Sequence, residues 1–533
     1  MANVGLSCRT TTCVVGSVRL KASTPSAPQP SPRRSAVASG TVAVLLAVMS
    51  NGSSADQLAE RLRTAASALP VGAQLPSTRA LMGEHGVGPG TVTRAIGRLA
   101  AEGVLVAEAG RGTFVAARRA RREADTSWQT VALGEAPAGS RAVAALLHPA
   151  PADALVLSSG YPSTDLQPLS ALAAAATRAA RRPGGWALAP PAGLPELRQL
   201  LGAAVGVEAE HVLVVPGGQA GLSTALRALG RPGGAVLVEV PTYVGALAAA
   251  RAAGLRPVPV PTDESGIRAD LLPAAFATSG APLLYLQPTF ANPTGAVLAP
   301  ERRAQVLEAA RAAGAFVLED DWARYLTLDG PAPAPLLHDD VDGHVVHLSS
   351  LSKASAPSLR IGALLARGPA AARLTALRMI DDFAVARPLQ ETAVELLGSP
   401  AWPRHLSSLA RALRGRREQL ARELQRRLPD LGPVRLPHGG LHLWLRLPDA
   451  VDDLELSDRA RSRGLIVGAG TPYYVAEPPG PRLRLSFAGA DPKQLSAGVQ
   501  LLAKTLRDGQ GDPSGQHRPS HHVENQLLAP TSE

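Results

Sequence analysis

Between residues 153 and 507 the chain alternates short apolar runs with alanine-rich stretches of helical length, and this alternation limits what it can fold into more than any other feature. The runs at 212–215, 235–240, 283–286, 316–318 and 345–348 are strand-sized and apolar almost throughout. A strand that is apolar on both faces belongs in a sheet covered by helices on both sides. The pattern therefore predicts an α/β domain built on a mostly parallel sheet. In such sheets ligands bind beyond the carboxyl ends of the strands.

The residues that follow each run are chemically distinctive. Pro216-Gly217-Gly218-Gln219-Ala220-Gly221 opens a helix, which offers free N–H groups and a positive dipole end to a phosphate. Gln287-Pro288 and Ala291-Asn292-Pro293-Thr294-Gly295 follow the run at 283–286, and Glu319-Asp320-Asp321 follows 316–318. After 345–348 comes Ser349-Ser350-Leu351-Ser352-Lys353, with Arg360 seven residues on. The lysine is singular. A chain with 54 lysines and arginines has lysine only at Lys21, Lys353, Lys493 and Lys504, so one lysine is kept in its long interior. Chemistry that needs a primary amine cannot use arginine, whose guanidinium stays protonated. Pyridoxal phosphate (PLP) requires an amine, a carboxylate for its pyridinium nitrogen and a donor for its phenolate oxygen. It also needs a phosphate cradle and an aromatic over its ring. Taken singly, an Asp pair after a strand reads as a cap or turn, Arg484 as a surface charge and Tyr243 as core.

Asn292-Pro293-Thr294-Gly295 and Ser350-x-x-Lys353 with Arg360 make the region resemble the fold type I aminotransferases over nearly all of residues 155–500. The resemblance implies a fold type I PLP-dependent transferase: a large, mostly parallel sheet domain and a small C-terminal α/β domain. It makes Lys353 the Schiff-base and proton-shuttling residue, and Asp320 the partner of the pyridine nitrogen. Asn292 contacts the phenolate oxygen. Gly218, Gln219, Ser350, Ser352 and Arg360 hold the phosphate, and Tyr243 stacks on the ring. Arg484 takes a substrate α-carboxylate, with Asn292 and Gly160 on the substrate side. Residues 186–197 complete that wall, partly across a dimer interface. Many relatives carry Tyr two or three residues after the Asp, where this chain has Trp322 and Ala323. An indole N–H donates but cannot serve as a phenol does.

Residues 53–116 follow another pattern. Ser54 is placed to cap a helix over 55–68, with Leu58, Leu62 and Ala65 on one face. A second helix starts in Leu75-Pro76-Ser77-Thr78-Arg79 and runs to about Glu84. Gly86-Val87-Gly88-Pro89-Gly90 reads as a turn, and a third helix covers 91–102 with Val92, Ile96 and Leu99 inward. Residues 104–106 and 113–115 flank Gly110-Arg111-Gly112 as a hairpin. Three helices and a hairpin form a winged helix-turn-helix, whose third helix enters the DNA major groove.

Leu75–Arg79, Gly86-Val87 with Thr91-Val92, 99–103 and 110–115 resemble the GntR family of bacterial regulators. By that resemblance Arg79 contacts DNA, the third helix reads bases, and Arg111 with Gly112 forms the wing tip. The expected contact set is Ser77, Arg79, Thr91, Thr93, Arg94, Arg98, Arg111 and Gly112. Family members usually have Ser or Thr and then Arg where Gly88 and Pro89 stand, and a second Arg where Thr93 stands. Arg94 is one position along, which rotates a side chain by about 100°. A relic module held only by phosphates is the alternative.

Residues 1–52 show no period and read as a disordered extension, with Met49 a second candidate start. The apolar run at 41–49 is too short to span a bilayer, and with Arg33 and Arg34 before it makes a poor, late secretory signal. Cys8 and Cys13, the two cysteines, build neither a disulfide framework nor a metal site. No metal and a cytoplasmic location are expected. Residues 117–152, with Arg118, Arg119, Arg121 and Arg122, read as a basic flexible linker. Residues 508–533 read as a disordered tail in which His517, His521 and His522 carry no expected metal. The net charge of +10 suits a polyanion partner, and a coding bias toward arginine accounts for it equally.

A GntR-like head on an aminotransferase-like body is the layout of the MocR subfamily of regulators. The expectation is a homodimeric, PLP-dependent transcription factor that binds DNA, touches no membrane and takes an amino-acid or amine effector as an aldimine. The alternative is a working amino-acid aminotransferase with a residual head. A third reading is a basic PLP-binding protein with neither turnover nor a specific DNA site.

Overall fold

A computed structural model describes residues 53–117, 124–134, 143–144, 151 and 153–510. The expected N-terminal extension, the arginines from 118 to 122, most of the remaining linker and the three tail histidines lie outside the described residues. The chain divides into two units, one ending at Thr126 and one beginning at Ser127.

The first unit has helices α1 (Ser54–Ser67), α2 (Thr78–His85) and α3 (Pro89–Ala101), then strands β1 (Leu105–Glu108) and β2 (Gly112–Val115). The strands pair antiparallel, with Leu105 opposite Val115. Leu58, Leu62, Ala66, Leu81, Val92, Ala95 and Leu99 form its core. Two local expectations shift. Ser53, not Ser54, caps α1, because Asp56 then stands at the third position and closes a reciprocal capping box. The buried face accordingly runs through Ala66, and Ala65 is exposed. Helix α3 begins at Pro89, inside the expected turn. Proline is suited to a first helical position because its missing N–H would have no partner there.

The second unit begins with a short helix, Ser127–Leu133, within the segment expected to be a structureless linker. Its main sheet is built from β4 (Val212–Val215), β5 (Ala235–Val240), β6 (Arg256–Asp263), β7 (Gly266–Ile267), β8 (Leu283–Leu286), β9 (Phe316–Asp321), β10 (Val345–Ser350) and β11 (Gly362–Leu365); β3 (Leu155–Val156) lies outside it. The order is β4-β11-β10-β9-β8-β5-β6-β7. Five central strands, β10, β9, β8, β5 and β6, run parallel, while β11 is antiparallel to both β10 and β4. Strand β6 carries Pro257, Pro259 and Pro261. Prolines spaced by two turn their missing N–H groups to one edge, which only the short β7 partly covers.

The C-terminal part adds β12 (His442–Arg446), β13 (Leu465–Ile466), β14 (Gly468–Ala469) and β15 (Arg482–Ser486). Here β12, β15 and β14 make an antiparallel sheet, and β13 pairs with β3. The long helix Ala401–Arg427 packs on the closing helix Pro492–Gln510, which runs three residues beyond the expected boundary at 507.

Candidate functional site

The carboxyl ends of the parallel strands converge on one cleft. Lys353 lies in the loop after β10, half-buried in this cleft. Its Nζ donates to the Gly160 carbonyl at 2.6 Å and sits 3.5 Å from the centre of the Tyr161 ring. Burial, and then the positive charge of Arg484, bring its amine down to about pKa 7. That leaves a large neutral fraction at physiological pH, which a nucleophilic amine requires.

Asp320, 5% exposed, is the last residue but one of β9. Tyr285 Oη donates to its Oδ2 at 2.7 Å and Gln287 Nε2 to the same oxygen at 2.9 Å. Burial pushes its carboxyl up to about 6, against the pull of those two donors. Gln287 also accepts from the Asn292 backbone N–H at 2.9 Å, so one side chain ties Asp320 to Asn292. Below it, Glu239 accepts from the Gln287 N–H at 2.7 Å, and burial raises Glu239 to about 8.

The other side of the cleft is a cradle for an anion. Helix Gly218–Leu229 begins there without a side-chain cap, leaving its first N–H groups free. Gly217 has φ +84°, and a Cβ on it would fall 2.8 Å from the Arg360 guanidinium, so only glycine lets the arginine approach. Arg360 donates to the Pro216 carbonyl at 2.7 Å. Ser350 accepts from the Ser352 N–H at 3.2 Å, while Ser352 Oγ is buried without a partner. Gln219 is differently employed from the simplest expectation: its side chain accepts from Tyr243 Oη at 3.0 Å and donates to the Gly245 carbonyl at 3.1 Å. What it offers an anion is its backbone N–H.

Arg484, on β15, is 2% exposed; it donates to Asn292 Oδ1 at 3.3 Å and to the Ser158 carbonyl at 2.7 Å. Every body residue singled out from the sequence by number as a site residue lines this one cleft. Segment 186–197 does not line it in a single chain, and Trp186 is 76% exposed. Sequence reasoning missed Tyr161, Gln287, His442 and Leu222 as lining residues. Trp322 also lines the cleft, with its indole nitrogen buried and unpartnered. An amine of lowered pKa, a buried carboxylate, a helix-end cradle with an arginine and an orphaned serine hydroxyl fit PLP.

In the head, Arg79, Arg94 and Thr93 are exposed, and Thr93 Oγ1 donates to the Pro89 carbonyl. Ser77 caps α2 through Ala80 N–H. Arg98 bonds to Glu102 at 3.0 Å and to Asp56, joining α3 to α1. Arg111 pairs with Glu108, and its carbonyl accepts from Gln74 at 2.9 Å, beside Gly112. Thr91 lies half-buried in the first turn of α3.

Fold and site together define a fold type I, PLP-dependent transferase body carrying a winged helix-turn-helix head. The chain belongs to the aminotransferase class I and II family, whose pattern matches residues 152–502, and residues 54–115 match the bacterial regulatory proteins of the gntR family. It is 26% identical over 457 residues to the uncharacterized HTH-type transcriptional regulator YdfD of Bacillus subtilis, covering 82% of this chain and 93% of that one. It is 28% identical over 462 residues to the probable rhizopine catabolism regulatory protein MocR of Rhizobium meliloti, covering 84% and 92%. Among solved structures, LysN, the α-aminoadipate aminotransferase of Thermus thermophilus complexed with N-(5'-phosphopyridoxyl)-L-leucine, superposes with a TM-score of 0.65. It is 29% identical, with 69% of this chain and 94% of that one covered.

Proposed function

We propose that this chain is a PLP-dependent transcriptional regulator of the MocR type, in which an amino compound captured in the body changes how the head holds DNA. The observation that carries the reading is the presence, on one chain, of a winged helix-turn-helix and a cleft built around Lys353. When bound, PLP supplies an electrophilic carbonyl and an electron-accepting ring. Lys353 holds the cofactor through its amine. Asp320 keeps the ring nitrogen protonated, with Tyr285 and Gln287 fixing the carboxylate. Asn292 and Trp322 would be the donors available to the cofactor's phenolate oxygen, and Tyr243 would cover its ring. The helix beginning at Gly218, with Ser350, Ser352 and Arg360, holds the phosphate, and Arg484 holds the effector's carboxylate.

In the head, Arg79 and Arg94 are the arginines of the expected contact set that make no ion pair among the described residues, so they lead the DNA contacts. Ser77, Thr91, Thr93, Arg111 and Gly112 support them, and Arg98 contributes by holding α3 against α1. A body-mediated homodimer would place two heads on repeated half-sites and bring the exposed segment around Trp186 to the partner's cleft. Among the described residues no helix is long and apolar enough to cross a membrane. A cytoplasmic location agrees with a DNA-binding role.

The second reading, an active aminotransferase, is favoured by one observation: Lys353, Asp320 and Arg484 stand together in the cleft. The visible spectrum of the purified protein during amino-acid addition separates the two. Conversion to the pyridoxamine form, reversed by a 2-oxo acid, identifies a transaminase. A shift that stays in the visible range, with altered DNA affinity, identifies a regulator.

A further inference from the structure

Three successive backbone carbonyls, of Ser158, Ser159 and Gly160, edge the cleft and accept from Arg484, His442 and Lys353 in turn. Two of those donors already have roles; His442 has none so far. It lies on β12, whose register with β15 sets His442 opposite Ser486 and Trp444 opposite Arg484. Opposed residues share a face of an antiparallel pair, and so do residues two apart along a strand. His442 and Arg484 are therefore diagonal neighbours on one face. Both line the cleft, at 5% and 2% exposure.

The two ring nitrogens of His442 are differently employed. Burial first, then the charges of Arg484 and Lys353, hold the ring well below the usual histidine range, so it is neutral and carries a single N–H. The Ser159 carbonyl takes that N–H. Nε2 is then an acceptor, and it is buried without a partner. A buried acceptor left unpaired is costly, so its place in the wall of a binding cleft points to a donor on the ligand. The surroundings narrow the kind of donor. A cationic one would stand beside Arg484 and Lys353 and be repelled by both, whereas a neutral one meets no such cost. A hydroxyl donates through a single atom, while a carboxamide would also bury an oxygen in need of a donor. A ligand whose carboxylate sits on Arg484 has its side chain within a few bonds of the diagonal neighbour.

We infer that His442 Nε2 is the acceptor that reads a hydroxyl on the effector's side chain, so the site prefers a hydroxy amino acid to the analogue without the hydroxyl. The inference rests on the PLP reading of the cleft and names the class of its ligand. A purely structural role is the competing account, since the ring braces Ser159 and lies 6.0 Å, centre to centre, from the Trp322 ring.

The test uses the full-length, cofactor-loaded protein and reads binding from its visible band. The probes are pairs in which a hydroxyl is present or is replaced by a methyl group or hydrogen. They are L-serine with L-2-aminobutyrate, L-threonine with L-valine, L-homoserine with L-norvaline, and L-tyrosine with L-phenylalanine. In the wild type the hydroxyl member of at least one pair is expected to bind about tenfold more tightly than its partner. His442→Phe keeps a ring beside Trp322 but has no acceptor. It is expected to lose about tenfold on that hydroxyl member and under about twofold on its partner. His442→Gln, which offers a donor to the Ser159 carbonyl and an oxygen as acceptor, is expected to recover most of the loss. Equal weakening of both members by His442→Phe would reduce His442 to packing and overturn the inference. So would a preference that His442→Phe leaves intact, or a wild type that favours the hydroxyl in no pair, including one whose band no probe moves. If His442→Phe takes up no cofactor, His442→Asn, whose shorter side chain withdraws the acceptor, carries the same comparison. Absence of the band from the wild type is a different failure: it removes the PLP reading itself.

Discussion

The two units of this chain hold their functional residues in opposite ways. In the body most are buried or half-buried, come from strands, a helix start and loops far apart in sequence, and several are fixed by other side chains: Asp320 by Tyr285 and Gln287, Asn292 by Gln287 and Arg484. In the head all but the half-buried Thr91 are exposed, and they lie close in sequence, backed by a small apolar core. Buried sites are over-determined, so their chemistry is readable. Exposed sites are set only by which side chains their partner finds, so the scaffold is readable and the contacts are not.

Four predictions put that contrast at risk. The largest effect belongs to Lys353→Ala, which is expected to abolish the visible band and every response to amino acids while the head still melts as in the wild type. A band that persists in this variant would remove the centre of the account. Next, the cofactor-free wild type carries an amine whose folded-state pKa, about 7, lies below its unfolded value. The folded state then binds fewer protons, so the group costs stability fully below about pH 7 and ceases to do so as pH rises past its unfolded pKa, near 10.4. Cofactor-free Lys353→Met is expected to exceed the wild type by up to about 5 kcal/mol at low pH, with the gap closing toward pH 10. Denaturant melts across that range check the sign, and a gap that widens with pH would contradict the burial of Lys353.

Leu99→Ala, at a fully buried position in the head, is expected to cost about 2–5 kcal/mol there. It is expected to abolish DNA binding and leave the visible band unchanged. Loss of the band would show that the units do not fold independently. The smallest effect separates two neighbouring arginines. Arg94→Ala is expected to weaken DNA binding about tenfold without moving the head's melting point. Arg98→Ala is expected to lower that melting point, because its ties to Asp56 and Glu102 are lost. The reverse pattern would reassign the two residues.

How much was legible in the sequence follows the same division. The five apolar runs became β4, β5, β8, β9 and β10 because strands buried on both faces leave no other pattern. The site residues after them were legible because amine, carboxylate and phosphate chemistry admits few substitutes. Strand β6 was not, since its three prolines argue against a strand until its exposed edge is known. The two-residue strands β3, β13 and β14 carry no periodicity to detect. His442 sat in an alternating run, Leu441 to Leu445, where a single histidine reads as core. What could have marked it is its place two residues before Trp444, the partner of Arg484 in the strand register. The one-residue shift of the α1 cap turned on Asp56, visible in the sequence but decisive only once it closed the box with Ser53.

Control of the head's hold on DNA by the Lys353 cleft is decided by one binding measurement. Affinity is measured for a DNA sequence selected from a random pool, with and without an amino acid that moves the visible band. Wild type and Lys353→Ala are compared at fixed salt. The expected result is a change of at least about fivefold in the wild type and none in Lys353→Ala. Equal affinities with and without the amino acid in the wild type would contradict that control.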